Sequence, residues 1–431
     1  MSLAGSTLLV MASRILVMFA GLIVSAVAAH SLSSVEQGYF FTFMSLAAAQ
    51  TLFELGITNL ILHHLSHARA GILCARTAEG KRTAIALAMS TRDYSTRYFR
   101  RAAGLFIVFV GTGGAAFFGL SRSASGAHWQ SPWMLMLAGT ALSLFNLSFY
   151  SYLEAFGRLS VSYRVRMAST VILVVAFSVA AALGGGLLSY PLALLVANGC
   201  AFAVLRRSCM EVDHEHGLTG AFDRQSIGIG REQRKMAASA VAGYVTANSL
   251  TPYAFHFFGP EIAGRFGLTM SIFTAIAAVA MARTTAEAPT YGPLIAAGEW
   301  ATLMARFRQT LFFSAGLALL LGILAIAGRR VGLEFAPRYA NRVLDTTGFV
   351  IVGLLIVANV TLSVTSTVLR AFKIERLMWP SLTAALVVLA AQLALRLDPA
   401  HCLALLAAFN GFVFFPYARH LLTTQIALSH G

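Results

Sequence analysis

The feature that most constrains this chain is the return of long apolar segments along its whole length. Of the 431 residues, 58% are hydrophobic and only 11% are charged, whereas soluble domains carry about 25% charged residues. A surface as apolar as the interior is expected only where lipid replaces water as the solvent. We therefore predict an all-α polytopic membrane protein.

Twelve of these segments are long enough to cross a bilayer as helices, because about 20 residues span the hydrocarbon core. We expect two six-helix lobes around a central cavity, formed by residues 1–205 and 236–431. The basic stretch 206–235 would be the cytoplasmic linker between them. The predicted spans are residues 5–30, 38–65, 102–120, 132–155, 161–183, 187–205, 236–258, 262–282, 309–327, 346–369, 377–395 and 402–421.

Lys and Arg are distributed unevenly between alternate loops of this arrangement. With the N-terminus inside, cytoplasmic segments hold 24 of the 32 basic residues and periplasmic segments hold seven. Basic residues accumulate in cytoplasmic loops, so a bacterial inner-membrane protein with both termini cytoplasmic is predicted. The net charge of +15 then reflects topology. No nucleic-acid partner is expected, because no soluble domain interleaves basic with aromatic residues.

The two halves of the chain share a short repeat. Residues 30–45 (HSLSSVEQGYFFTFMS) align without gaps with residues 256–271 (HFFGPEIAGRFGLTMS), with five identities at a constant offset of 226. Both segments leave one long helix and enter the next on the periplasmic side. Two parallel six-helix halves, related by an axis along the membrane normal, would explain the match.

Several short motifs resemble those of one transporter family. The first half contains Ser13-Arg14-Ile15-Leu16, LSSVEQGYFFTF at 32–43 and Glu54-Leu55-Gly56, and the second contains GPEIAGRFGLTMSI at 259–272 and Pro289-Thr290-Tyr291-Gly292. These resemble the bacterial oligosaccharide flippases, the O-antigen and polysaccharide transporters of the multidrug/oligosaccharidyl-lipid/polysaccharide exporter superfamily. The helix number agrees with the twelve-helix members. The lipid II branch has two more helices and more cationic residues in its cavity.

The resemblance implies a flippase that moves an undecaprenyl-diphosphate-linked oligosaccharide to the periplasmic leaflet by alternating access, for polysaccharide, lipopolysaccharide or O-antigen biosynthesis. We expect a monomer that needs no cofactor. Its partners would be the lipid-linked oligosaccharide and membrane lipids, together with a polysaccharide polymerase and glycosyltransferases. Coupling to H⁺, Na⁺ or the membrane potential stays open. One alternative is a cation-coupled small-molecule exporter of the same fold, in which Glu54 binds the ion. Another is a membrane polysaccharide polymerase or ligase.

Recognisable catalytic motifs are absent from the sequence. There is no phosphate-binding P-loop, no HExxH zinc motif and no nucleophile elbow, so we expect a protein that is not an enzyme. We also expect no metal site, because the four cysteines have no metal-site spacing. They are Cys74, Cys200, Cys209 and Cys402.

Arg14 and Glu54 are the most informative charged residues, because each lies inside an apolar span. A mid-helix charge costs about 2.5–3.5 kcal/mol on insertion scales. At 1.5 Å per residue, Arg14 lies about 13 Å and Glu54 about 16 Å from the cytoplasmic end of its helix, so they could pair. The pair either fixes helix packing or faces the cavity, where Arg14 would bind a diphosphate through its planar fork.

The seventh predicted span carries Asn248, Pro252 and His256 at positions i, i+4 and i+8. Pro252 should kink the helix or loosen its backbone. We predict a bending gate helix with Pro252 and His256 as gating residues and Asn248 lining the cavity. The alternative is hydrogen bonding between helices, a common role of polar residues in membranes.

The segment 67–101 between the second and third spans carries eight basic residues among apolar patches. This pattern predicts one or two interfacial amphipathic helices. They would contact anionic lipids or help to gather an anionic lipid-linked substrate.

Overall fold

The computed structural model describes residues 3–54, 56–121, 128–218, 231–372 and 377–428. Every element in these ranges is helical, with a 3₁₀ turn at Gly186–Leu188 and π-helical turns at Ala390–Ala394 and Asn410–Phe414. The α-helices are α1 (Leu3–Ser31), α2 (Ser34–Ala47), α3 (Gln50–Glu54), α4 (Ile57–Cys74), α5 (Ala78–Leu120), α6 (Gln130–Ala155), α7 (Leu159–Ala182), α8 (Ser189–His216), α9 (Arg231–Asn248), α10 (Leu250–Phe258), α11 (Pro260–Ala280), α12 (Ala282–Ala296), α13 (Trp300–Phe335), α14 (Pro337–Ala340), α15 (Thr346–Ala371), α16 (Met378–Leu389), α17 (Pro399–Phe409) and α18 (Phe415–Leu428).

The helices have the length and surface of membrane spans. Nine helical spans in the described ranges are long and apolar enough to cross a bilayer, and the bent segment α2 to α4 would be a tenth. Large apolar side chains such as Phe109, Phe312 and Phe412 are 65%, 75% and 84% exposed, which suits lipid and not water. All twelve predicted spans fall on helices. The prediction of an all-α, multi-pass membrane protein with about twelve helices is confirmed.

The second predicted span is not one continuous helix. Its residues form α2, α3 and α4, with a bend of 41° between the α2–α3 part and α4. Gly56 precedes α4 in the left-handed conformation (φ 70°), which interrupts a right-handed helix and which glycine adopts without steric cost. Residue 55 of the Glu-Leu-Gly motif lies outside the described residues.

The segment 67–101, predicted to form one or two interfacial helices, is helical, but its second part is continuous with the third span. The structure instead extends α4 to Cys74 and continues from Ala78 to Leu120 in the single 43-residue helix α5. Thr77 caps its start by accepting a hydrogen bond from the Gly80 N–H. Neither Gly nor Pro occurs between residues 81 and 103, so nothing in the sequence ends the helix before the apolar part begins.

The chain folds as two compact units. The first comprises Met1–Leu32 and Phe43–Ala240, and the second comprises Ser33–Thr42 and Val241–Gly431. The start of α2 therefore belongs to the second unit, which the predicted lobe boundaries did not anticipate. The predicted linker also differs at its edges, because α8 continues to His216 and α9 begins at Arg231; residues 219–230 lie outside the described part.

Five pairs of neighbouring spans correspond between the two units. In the first unit α6 packs against α4, α5 and α8, and in the second α15 packs against α11, α12, α13, α17 and α18. These two helices are the fourth and tenth predicted spans. Spans 2–3, 2–4, 3–4, 4–6 and 5–6 are neighbours in the first unit, and spans 8–9, 8–10, 9–10, 10–12 and 11–12 in the second. A duplicated six-helix unit predicts this correspondence.

Candidate functional site

Arg14 is an exposed residue of α1. At 100° per residue, Gly21 and Ser25 fall within about 20° of it around the helix. The Ser25 hydroxyl donates a hydrogen bond to the Gly21 carbonyl at 2.9 Å, within α1 itself. Exposed apolar residues flank Arg14 on both sides: Met11 and Val17 lie about 60° from it around the helix, and Ile15, Phe19 and Ile23 lie about 100–180° away.

Glu54 ends α3 at the break in the second span. Its carboxylate accepts a hydrogen bond from the Thr58 hydroxyl on α4 at 2.6 Å, which ties the two sides of the break together. The break also frees the Phe53 carbonyl from its helical donor. The Tyr98 hydroxyl of α5 donates to that carbonyl at 2.8 Å, as a buried backbone acceptor requires.

The expected pair between Arg14 and Glu54 is not formed in this structure. Among the described residues, no ion pair within 4.0 Å includes Arg14. The broken helix holds Glu54 to Thr58 instead. The binding roles of both residues stay predictions.

A network on α6 and α7 was missed by sequence reasoning. Arg166 donates to Glu154 at 3.2 Å, and its guanidinium lies 3.9 Å from the centre of the Tyr150 ring. The Ser162 hydroxyl donates to the same carboxylate at 2.7 Å. Glu154 thus neutralises Arg166 at the α6–α7 turn, an arrangement that fixes helix packing.

A second network joins α5, α6 and α8. Arg92 forms an ion pair with Asp213, and the Tyr152 hydroxyl donates to the same carboxylate at 2.7 Å. The Arg92 guanidinium also lies 4.8 Å from the Tyr152 ring centre. These partners lie 60 and 121 positions from Arg92 in the sequence, so no local pattern could reveal them.

The seventh span breaks next to the predicted gating proline. α9 ends at Asn248, α10 begins at Leu250, and Pro252 follows in the first turn of α10. Proline has no N–H for the carbonyl four residues earlier, and here that carbonyl belongs to Asn248. The break places Asn248 on α9 and the other two residues on α10; Asn248 and Pro252 are half-buried, and His256 is exposed against Phe257.

Two polar pairs in the second unit lie at irregular helical turns. Gln392, in the first π-helical turn, donates to the Ser249 hydroxyl at 2.9 Å, which is the residue at the break of the seventh span. Asn410, in the second π-helical turn, donates to the Asn359 side-chain oxygen at 2.8 Å. π-Helical turns are frequent at functional sites. An isolated Gln or Asn in an apolar run was the available sequence signal.

Comparisons with known proteins identify the fold. No family model and no curated protein matches the sequence. A multidrug resistance MATE family transporter of the MOP superfamily, in an inward-facing conformation, superposes with a TM-score of 0.58 at 15% identity, over 98% of this chain and 96% of that one. A MATE transporter of Vibrio cholerae superposes with a TM-score of 0.60 at 14% identity, over 99% of this chain and 96% of that one. The chain has the MOP transporter fold.

The similarity in fold extends from MATE transporters to a lipid II flippase. The lipid II flippase MurJ, in an inward closed conformation, superposes with a TM-score of 0.56 at 12% identity, over 97% of this chain and 87% of MurJ. Identities this low establish shared architecture alone. The resemblance inferred from the motifs is therefore confirmed at the level of the superfamily fold, and the oligosaccharide branch stays a prediction.

Proposed function

We propose that this protein is a flippase that moves an undecaprenyl-diphosphate-linked oligosaccharide from the cytoplasmic to the periplasmic leaflet of the bacterial inner membrane. The observation that carries the proposal is Arg14. It is a guanidinium in an apolar helix, exposed, with no ion-pair partner among the described residues. An unpaired guanidinium facing hydrocarbon is costly, so the Arg14 side chain should face a water-filled path.

The chemistry of a diphosphate suits this residue. The planar guanidinium can donate two parallel hydrogen bonds to phosphate oxygens, which a lysine ammonium cannot match geometrically. The sugar and diphosphate would pass through the aqueous path while the lipid tail stays in the bilayer. An inside-negative potential would favour export by about 2.3 kcal/mol per negative charge per 100 mV. We propose alternating access without a chemical step, carried out by a monomer with both termini in the cytoplasm.

A cation-coupled exporter of small molecules is the second candidate. It is favoured by the similar solved structures, several of which are multidrug MATE transporters. Carboxylates in or near the spans are its expected ion ligands, yet each of the three best placed already has a partner. Glu54 accepts from Thr58, Glu154 from Arg166, and Glu287 lies 3.6 Å from Arg306.

Reconstitution separates the two candidates. Purified protein in proteoliposomes would be given a fluorescent undecaprenyl-diphosphate oligosaccharide, and a membrane-impermeant quencher would report how much reaches the outer leaflet. The flippase should raise the quenched fraction above that of protein-free vesicles. A parallel arm would follow rhodamine 6G under an imposed Na⁺ or H⁺ gradient. Gradient-driven dye movement without lipid movement would establish the exporter instead.

A further inference from the structure

Arginines gather at the end of the second unit that is predicted to be periplasmic. Seven arginines of the chain are predicted on that side of the membrane, and five of them fall between residues 265 and 342, all in the second unit. Basic residues beside membrane spans normally accumulate on the cytoplasmic side, so this group needs a local reason. It consists of Arg265, Arg329, Arg330, Arg338 and Arg342.

The apolar part of α13 ends at this group. Residues 309–328 carry no charged side chain, and at 1.5 Å per residue they measure about 30 Å, the thickness of the hydrocarbon core. Arg329 and Arg330 therefore follow at the level of the lipid head groups. The helix continues for five more residues to Phe335, which is 82% exposed. Exposed aromatic side chains are typical of this level.

Beyond α13 the chain folds back on itself in a fixed geometry. α14 packs against α13, because a Cβ on Gly332 would lie 3.6 Å from the Ala340 Cβ. Arg329 holds the link that follows, since its guanidinium donates to the Leu344 carbonyl at 2.7 Å and to the Thr346 hydroxyl at 2.8 Å. One arginine of the group thus has a structural role.

The same link brings the other arginines together. The Leu344 N–H donates to the Thr269 hydroxyl of α11 at 3.0 Å, and that hydroxyl donates to the Arg265 carbonyl at 2.8 Å. Arg338 and Arg342 are also close, because burial and, after it, the Arg338 charge lower the pKa of the Arg342 guanidinium. Like charges held near each other repel, so a bound anion would stabilise the arrangement.

The exposed arginines of the group are not neutralised by carboxylates. In the described part of the chain, Arg265, Arg330 and Arg338 form no ion pair within 4.0 Å, and all three are exposed. Segment 329–345 contains two carboxylates: Asp345 caps the start of α15, and Glu334 is exposed and forms no such pair either. Guanidinium groups at head-group level suit phosphate, which accepts two parallel N–H bonds from each.

We propose that the end of α13, α14 and the link to α15 form a binding surface for anionic phospholipids of the periplasmic leaflet, with Arg330 and Arg338 as phosphate ligands. Phe335 and Tyr339 alternate with these arginines along the chain and are 82% and 42% exposed. Aromatic and cationic side chains therefore meet the membrane at the same level. The choice of leaflet rests on the topology of the proposed function, whereas the preference for an anionic lipid does not.

A fluorophore on this surface tests which lipid lies beside it. In a background lacking the four native cysteines, Phe335→Cys would carry a bimane group, and the exposure of Phe335 makes this change tolerable. The protein would be reconstituted in phosphatidylcholine vesicles containing a small fraction of spin-labelled phosphatidylglycerol or, in a parallel sample, spin-labelled phosphatidylcholine. Quenching should show phosphatidylglycerol enriched about fivefold at the fluorophore. Arg330→Gln with Arg338→Gln should reduce its quenching to the phosphatidylcholine level.

The matched control is Arg396→Gln, because Arg396 is an exposed arginine of the same unit, is predicted to be periplasmic and lies outside the group. It should leave the enrichment unchanged. Equal quenching by the two lipids in the parent protein, or an undiminished preference in the double variant, would overturn the proposal. Neither measurement involves transport, so the result stands even if the proteoliposome assay shows no flipping.

Two competition experiments separate phospholipid from other phosphate compounds. Excess inorganic phosphate should lower the preference no more than sodium chloride of equal ionic strength, which screens the charges alike. Loss of the preference with phosphate alone would assign the arginines to a soluble anion. Unlabelled undecaprenyl diphosphate should compete no better than the same amount of unlabelled phosphatidylglycerol. Stronger competition by the diphosphate would assign the surface to the transported head group and overturn the phospholipid site.

Discussion

At the scale of single residues, Arg14 carries the sharpest functional expectation. Arg14→Lys keeps the positive charge but loses the planar fork. Losing one charge-assisted hydrogen bond of about 1.5–3 kcal/mol should slow flipping about tenfold or more, while folding and insertion persist. The initial flipping rate in proteoliposomes, with protein yield as the folding control, measures this.

The paired change Arg14→Leu with Glu54→Leu is the opposing test. If both residues only fix helix packing, removing both charges should leave insertion and flipping intact, because no unpaired charge is left behind. Wild-type flipping by the double variant would therefore end the substrate-binding interpretation of Arg14.

Tyr98 offers a prediction about stability. Tyr98→Phe removes the donor to the Phe53 carbonyl and leaves a backbone acceptor unsatisfied, at a cost of about 1–3 kcal/mol. The melting temperature of the detergent-solubilised protein should fall. Tyr94→Phe is the matched control, one turn earlier on the same helix and stacked on Tyr98, and should leave it nearly unchanged. An equal fall in both would show that ring packing matters here and the hydroxyl does not.

Sequence reasoning at this scale found isolated charges and missed long-range partners. Arg14 and Glu54 stand out because the residues around them are apolar. The Gln37 side chain donates to the carbonyls of Gly264 and Arg342, 227 and 305 positions away. Tyr98 lies 45 positions from its acceptor at Phe53. Such pairs follow from packing, which no local pattern encodes.

At the scale of elements, Pro252 predicts a mechanical effect. Pro252→Ala restores a donor for the Asn248 carbonyl, so α9 and α10 should join into one straighter helix. We expect slower flipping without loss of thermal stability. Pro399→Ala is the control, because proline at the first helical position of α17 lacks no hydrogen bond that the helix would make. Normal flipping by Pro252→Ala would remove the gating role.

Hydropathy predicted which elements exist but not where they break. Twenty apolar residues indicate a span whether the helix is straight or broken. Hydropathy therefore did not predict the breaks at Gly56 and Ser249 or the two π-helical turns. The proline gave the one usable signal, since the helix breaks within four residues of Pro252. Helix α5 shows that a continuous helix was missed: the basic segment was predicted to be helical, but not to join the third span, although no Gly or Pro between residues 81 and 103 separates them.

At the scale of the whole molecule, the basic-residue bias predicts orientation. Reporter domains fused after Ala75 and Gly220 should be active in the cytoplasm, and those after Ala124 and Asn341 in the periplasm. Residues 124 and 220 lie outside the described ranges, while residues 75 and 341 lie in links between described helices. The expectation rests on 24 basic residues against seven. A reversed signal at any one position would refute the topology.

Two fragments of the chain, produced together, should associate. Cut between residues 219 and 230, the chain would yield a first fragment that carries Ser33–Thr42, the segment that packs in the second unit. Co-expressed fragments should therefore co-purify through a tag on the second one, because the buried Gln37 side chain donates to the Gly264 carbonyl at 2.9 Å and Gly38 lies directly against the Pro260 backbone. Gly38→Ala should lower the recovered first fragment, since its Cβ cannot fit beside Pro260, whereas Gly316→Ala should not, because a Cβ there meets nothing within 4 Å. Gel quantification of the two fragments measures the ratio. Full recovery with Gly38→Ala would mean that surfaces other than the contact between Gly38 and Pro260 hold the fragments together.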